Sequence, residues 1–273
     1  MPSVNSISPD KLSRLIGIPR GPAIIDVRTD ADFAADPRLI PGSIRRPYES
    51  VSTWGRDLSG ANAIVVCQRG QKISQGTAAW LRHHGASADV LEAGFEGWQR
   101  ASLPLIMVER LPPSDGEGRT VWVTRSRPKV DRIACPWLIR RFIDPRAVFL
   151  FVAPSEVAAV AERFAATPFD IDDVFWSHRG ELCTFDVLLA EFRLQTDALN
   201  RLATIVRGAD TARLDLAPEA AGLLAASLGL SRIYSDDLEQ LEAGIGLYDA
   251  FYRWCRDASD ETHNWPVRKS GKE

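Results

Sequence analysis

Cys67 is the side chain in this sequence best placed to act as a nucleophile. It follows the apolar run Ala63-Ile64-Val65-Val66 and opens the polar stretch Gln68-Arg69-Gly70-Gln71-Lys72, which leads into a helix-like segment from Ile73 to His84. A buried strand that feeds a helix leaves such a thiol at the carboxyl edge of a sheet, where the N–H groups of the turn from Gln68 to Ile73 are expected to converge on it. Free cysteine titrates near pH ~8.5, and a helix N-terminus with adjacent cations lowers that by roughly one to five units. Arg69 and Lys72 supply the cations, and Gly70 allows the turn to close tightly. A thiolate at neutral pH is therefore expected, against the plainer alternative of a buried structural cysteine.

Two further groupings have suitable chemistry. Arg125, Arg127, Lys129 and Arg132 fall on a strand-to-helix loop, where guanidinium forks and helix N–H groups suit a tetrahedral oxyanion such as chromate, sulfate or phosphate. A solvated face or a contact between domains is the competing explanation. His178, Cys183 and Asp186 combine imidazole, thiolate and carboxylate, the donors a transition metal accepts, with Asp210, Asp236 and Asp237 as partners after folding. Here the competing explanation is a helix cap, with Thr184 at the cap and Asp186 at the positive end. Cys135, one helical turn past Asp131, is expected to be buried beside Trp137. His83 and His84 suit a helix C-terminus without chemistry.

These residues need elements to position them. Ser8-Pro9-Asp10 begins a short helix over 11–16, and Ala23-Ile24-Ile25-Asp26-Val27 reads as a compact strand. A helix from Asp30, a turn at Pro41-Gly42, the strand into Cys67, the helix 73–84 and a strand at 89–91 follow. This alternation predicts a mostly parallel α/β sheet covered by helices on both faces, over residues 1–110. Pro112-Pro113-Ser114-Asp115-Gly116-Glu117-Gly118 has linker composition, so 111–119 is read as a linker. A second unit over 120–258 opens with the strand 120–124 and a helix from Asp131 to Ile143. It continues with a strand at 147–152, a helix at 155–166 and a hairpin over 175–185 turning at Arg179-Gly180. It becomes mainly helical thereafter. Residues 259–273 read as a polar tail, Trp265 excepted.

The 273 residues are 45% apolar and 25% charged, ordinary values for a globular chain of two cores. No apolar stretch approaches the ~20 residues a bilayer span needs, and Met1-Pro2-Ser3-Val4 has no signal-peptide character. The four cysteines form no CxxC pair, which suits a reducing compartment and predicts a cytoplasmic protein. A net charge of −3 argues against nucleic acid as a partner, although seven basic residues and only Asp131 as an acid lie between Arg119 and Arg141. Oligomeric state is not legible.

The stretch 67–72 resembles the active-site loop of the rhodanese (sulfurtransferase) family, Cys-x-x-Gly-x-Arg/Lys. Asp26-Val27-Arg28, Ile40-Pro41-Gly42-Ser43-Ile44 and Gly94-Phe95-Glu96-Gly97-Trp98 are similar to that family's other signatures, in the same order. Ile73 stands before Ser74 where the family usually has Ser or Thr directly after the basic residue. The second unit resembles the C-terminal domain of the chromate-resistance protein family through Trp122 to Arg125, Arg127 to Arg132 and Cys135 to Phe142. His178 with Cys183 to Asp186, Ile205 to Asp210 and Tyr248 to Cys255 complete that likeness.

The first resemblance implies sulfur transfer without a cofactor. Cys67 would carry a persulfide from thiosulfate or a related donor to a thiol or cyanide acceptor, and Gln68 to Ile73 would bind the donor. Asp26 and Arg28 would brace the loop. A phosphatase or arsenate reductase on the same scaffold is disfavoured, because those relatives use a longer loop closed by arginine. The alternative is an oxyanion- or metal-sensing protein of chromate resistance, in which the first unit is a docking or redox-signalling module.

Overall fold

The structure, a computed structural model, describes residues 5–261, so Trp265 and the rest of the expected tail from 262 onward lie outside the described residues. The first unit alternates strands and helices in chain order. They are β1 (Ser6–Ile7), α1 (Pro9–Ser13), β2 (Ala23–Asp26), α2 (Asp30–Ala35), β3 (Arg38–Leu39) and β4 (Ser43–Arg45). Then come α3 (Val51–Trp54), β5 (Asn62–Val66), α4 (Lys72–His83), β6 (Ser87–Leu91), α5 (Gly94–Arg100) and β7 (Ile106–Met107). Ser8 caps α1 as expected, accepting the Lys11 N–H at 3.3 Å with Pro9 in the first turn.

Five strands pair in parallel in the order β1-β6-β5-β2-β4, with β5 at the centre. Because side chains alternate along a strand, Ile64 and Val66 of β5 enter one core while Ala63 and Val65 enter another on the opposite face. That double burial explains why β5 reads as a continuous apolar run. Its carboxyl end delivers Cys67 to the sheet edge.

The second unit contains β8 (Val121–Arg125), α6 (Asp131–Leu138), β9 (Val148–Val152), α7 (Val157–Arg163) and β10 (Thr167–Pro168). After these come α8 (Thr184–Glu191), α9 (Asp197–Asp210), α10 (Ala220–Ile233) and α11 (Asp237–Asp257). Its three strands are parallel in the order β10-β8-β9, so the smaller α/β segment with a helical end is the observed form. No helix among the described residues is long and apolar enough to cross a membrane.

Three local expectations change. The helix expected over 131–143 is α6 followed by a π-helical turn at Ile139–Ile143; Pro136 lies inside α6, where it cannot donate a backbone bond. The hairpin expected over 175–185 shrinks to a bridge between Arg179 and Leu182, because Thr184 and Phe185 join α8 instead. The stretch read as a linker is a hydrogen-bonded turn: Asp115 accepts from the N–H groups of Glu117 and Arg119, both at 2.9 Å, and from Arg119 Nε at 2.8 Å.

The two units share one core. Leu12, Ile16, Ile40, Phe95 and Trp98 belong to the same buried cluster as Trp137, Phe142 and Tyr252. Phe142 sits against Gly17, where an added Cβ would overlap its ring, and the Gly42 N–H donates to the Phe142 carbonyl at 2.6 Å. The Pro41-Gly42 turn thus belongs to the seam between units. Tilted ring contacts of Trp137 with Tyr248 and Tyr252 pack α6 on α11, which explains why the resembling stretches of the second unit are so aromatic.

Candidate functional site

Cys67 is 5% exposed and lines a cavity of about 480 Å³ together with Gln68, Arg69, Gln71, Lys72, Ile73, Asp32 and Glu96. Gly70 is the one expected contact residue that does not line it. Its φ is +67°, and an added Cβ would lie 2.5 Å from the Leu91 carbonyl oxygen, so its role is to let the turn pass against the chain leaving β6. Ala93 and Gly94 continue this cradle, both with positive φ. The N–H groups of Phe95 and Glu96 then donate to the carbonyls of Cys67 and Gln68 at 3.0 and 3.1 Å. The segment 94–98 therefore closes the loop from behind.

The expected convergence of N–H groups on the sulfur itself is not found. The hydrogen-bond partner of Cys67 Sγ among the described residues is Ser74 Oγ, at 3.1 Å. Ser74 also bonds the Gln71 carbonyl at 3.0 Å, so one helical turn of α4 brings the hydroxyl to the thiol despite the intervening Ile73. The first bond of α4 runs from the Gln75 N–H to the Gln71 carbonyl, which leaves the N–H groups of Lys72, Ile73 and Ser74 outside the helical ladder. They belong to the anion-favouring end of a helix that begins at the cavity.

The charge of the cavity also differs from expectation. Arg69 donates to Glu96 at 3.1 Å, as does Gln68 at 3.3 Å, and Arg69 holds the Glu96 carboxyl below its ordinary range. Lys72 has no ion-pair partner among the described residues. Asp26 and Arg28 form a buried pair, with Arg28 Nε and Nη2 at 2.8 and 2.6 Å from Asp26 Oδ2. The guanidinium donates onward to the carbonyls of Asp36 and Arg38 and lies 3.7 Å above the Phe95 ring. It braces the loop through Phe95.

Of the four basic residues expected to face an oxyanion, Arg125 and Arg132 meet at the carboxylate Asp170 and Arg127 turns to α10. Arg127 donates to the carbonyls of Tyr234 and Ser235 at 2.9 and 3.2 Å and also to that of Ser231, so it neutralises the carbonyl end of α10. Arg125 donates to the Asp170 carbonyl at 3.1 Å, and Arg132 Nε lies 3.4 Å from Asp170 Oδ2. Lys129 is half-buried with no ion pair among the described residues.

The expected set of His178, Cys183 and Asp186 separates as well. Cys183 is the cap of α8: its N–H and Sγ both face Asp186 Oδ2, at 3.1 and 3.2 Å, and Asp186 takes Arg207 at 2.8 Å. His178 turns instead to three carboxylates. Its Nε2 lies 3.2 Å from Asp210 Oδ2, 3.4 Å from Asp170 Oδ1 and 3.7 Å from Asp131 Oδ2. Asp131, fully buried, accepts the Thr184 and Phe185 N–H groups at 2.6 and 3.3 Å on Oδ2, and Thr184 Oγ1 donates to Asp170 at 2.8 Å.

Hydrogen bonds donated by His178 to Asp170 and Asp210 push it up to about 10, and burial with the neighbouring Asp210 and Asp170 charges pushes the Asp131 carboxyl well above its usual range. Just before Asp131 the backbone is strained, with Val130 at φ +38°, pinned by Ser227 Oγ at 3.0 Å and by Tyr248 Oη at 2.9 Å. Asp131 had shown only as a helix start, Asp210 only as a partner, and Asp170 not at all. The four cysteines are free thiols and buried.

A parallel sheet whose central strand ends on a cysteine cradled by a turn and a helix start is a rhodanese-like arrangement, and residues 8–101 match the rhodanese-like domain family. Residues 122–255 match the family described as ChrB, C-terminal domain. The chain is thus a rhodanese-like domain joined to a ChrB C-terminal domain. Protein ChrB of Cupriavidus metallidurans is 39% identical over 147 residues, 53% of this chain and 43% of that protein, so this chain spans less than half the length of that relative. Among solved structures, a rhodanese-related protein from Thermoplasma volcanium is 21% identical, covering 38% of this chain and 98% of its own with a TM-score of 0.33. Thiosulfate sulfurtransferase from Pseudomonas aeruginosa is 20% identical, covering 39% of this chain and 20% of its own with a TM-score of 0.34.

Proposed function

We propose that the first domain transfers sulfane sulfur through Cys67 and that the chain serves chromate resistance. The second clause rests on the match to the ChrB C-terminal domain. The observation that carries the first is the position of Cys67 in the wall of a cavity that also receives the start of α4 and the Lys72 side chain. The Cys67 thiolate attacks the outer sulfur of thiosulfate; its S–S bond breaks as the Cys67 S–S bond forms, and sulfite leaves with the electron pair. An acceptor thiolate or cyanide then attacks the persulfide and releases the thiolate. The first-turn N–H groups of α4 and Lys72 stabilise the anionic sulfur beyond Sγ, an electrostatic role like that of an oxyanion hole. The transfer requires no cofactor.

Thiosulfate should add one sulfur atom to the intact mass of the protein, and cyanide should remove it as thiocyanate. Cys67→Ser should abolish both. Thiocyanate formation by Cys67→Ser at the unmutated rate, or a wild-type protein that gains no sulfur, would end the proposal.

A further inference from the structure

His178 alone cannot satisfy the three carboxylates around it. An imidazole offers a single N–H at Nε2, yet three carboxylates lie within 3.7 Å of it. Asp131 adds an independent sign. Its Oδ2 is taken by the start of α8, but Oδ1 is buried with no hydrogen-bond partner among the described residues. A fully buried carboxylate oxygen left without a partner is costly unless a cation meets it.

Dimensions and placement agree with a cation. Ligand atoms of Asp131, Asp170 and His178 all lie within 4.8 Å of one another. An ion with bonds of roughly 2.1 Å holds its ligands no more than about 4.2 Å apart, so these three lie at or near coordinating separation, whereas Asp210, 3.2 Å from His178 Nε2 but outside that group, must draw in to complete the sphere. Asp131 follows β8 and Asp170 follows β10, so both stand beyond the carboxyl ends of parallel strands, the usual place for a ligand in such sheets. His178, 41% exposed, forms the rim through which an ion would enter.

We propose that Asp131, Asp170, Asp210 and His178 Nε2 bind one divalent first-row cation of the Mn²⁺ class. Three carboxylates favour a hard ion, and the imidazole nitrogen disfavours Mg²⁺ and Ca²⁺. The thiol of Cys183, which would draw a softer metal, is held by Asp186 as the cap of α8 while also lying beside Asp131. The surroundings hold the ligands in place: the Thr184 and Phe185 N–H groups fix Asp131, the Thr184 hydroxyl fixes Asp170, and Arg132 holds the far oxygen of Asp170.

The test uses the full chain, stripped with a chelator and titrated with MnCl₂, with free Mn²⁺ read from its electron paramagnetic resonance signal. One Mn²⁺ per chain is expected to bind and to raise the melting temperature. His178→Ala and Asp210→Asn should each weaken binding at least about tenfold, whereas Cys183→Ser, which keeps a capping side chain, should change it less than about twofold. Roughly a hundredfold excess of Mg²⁺ should not displace the ion. No Mn²⁺ binding by the unmutated chain overturns the site, as does equal binding in both ligand variants or ready displacement by Mg²⁺. Circular dichroism on each variant separates lost ligands from lost fold, and the wild-type stoichiometry needs no variant.

Discussion

The Cys67 cradle draws its parts from two short stretches, 67–74 and 91–96, and is shaped chiefly by backbone: positive-φ residues, carbonyls and a helix start. The groups around His178 come from the start of α6, the chain after β10, the turn before α8 and the end of α9, and are held by charge. A site made of backbone is sensitive to the size of its glycines. A site made of carboxylates stores repulsion, and relieving that repulsion should affect the fold in the opposite direction.

The largest effect is expected at Gly94. An added Cβ would overlap the Cys67 carbonyl oxygen and crowd the N–H groups of Arg69 and Gly70, all backbone atoms that cannot swing away, and φ there is already +57°. Gly94→Ala should cost roughly 2–4 kcal/mol through overpacking and strain and should remove sulfur uptake from thiosulfate. Urea denaturation and intact mass check the two halves. Wild-type stability in this variant would mean that the cradle is not rigid backbone.

The same contrast governs what could be read from sequence. The strand, turn and helix around Cys67 are contiguous, so residue types at fixed spacing carried both fold and nucleophile. Glu96 was overlooked within a stretch already matched to a family signature, because nothing local reveals that it will pair with Arg69 in the cavity wall. The second site joins residues up to 79 positions apart, Asp131 to Asp210, and single carboxylates have no spacing to betray them. His178 was singled out with Asp210 among its partners after folding, which the structure brings to 3.2 Å, but the nearer Cys183 and Asp186 are claimed first by a helix start. The segment 111–119 lies between the two matched stretches, and its Pro, Gly and charge did not reveal the local turn in which Asp115 bonds back to Arg119.

A smaller effect is expected at Ser74, the side-chain contribution to a site otherwise built of backbone. Ser74→Ala removes the hydroxyl 3.1 Å from Cys67 Sγ while keeping the helix. One such hydrogen bond is worth about 1 kcal/mol, so sulfur transfer should fall roughly fivefold to tenfold with little loss of stability. Single-turnover persulfide formation is the measurement, and a loss beyond about a thousandfold would give Ser74 a larger part than hydrogen bonding supports.

The smallest change in stability is expected at Asp131, and there the sign matters more than the size. Asp131→Asn keeps an oxygen to accept the Thr184 and Phe185 N–H groups but removes a carboxyl whose ionisation is disfavoured by burial and by Asp210 and Asp170. Without metal, the variant should be as stable as the unmutated chain or slightly more so, because burial and both neighbouring carboxylates oppose that ionisation. With Mn²⁺ the order should reverse, since only the unmutated chain gains stability from the ion. Urea midpoints in chelator and in MnCl₂ give all four values. A variant that is strongly destabilised in chelator would show that Asp131 serves the fold through its charge, and the two sites would then be alike in relying on every part they hold.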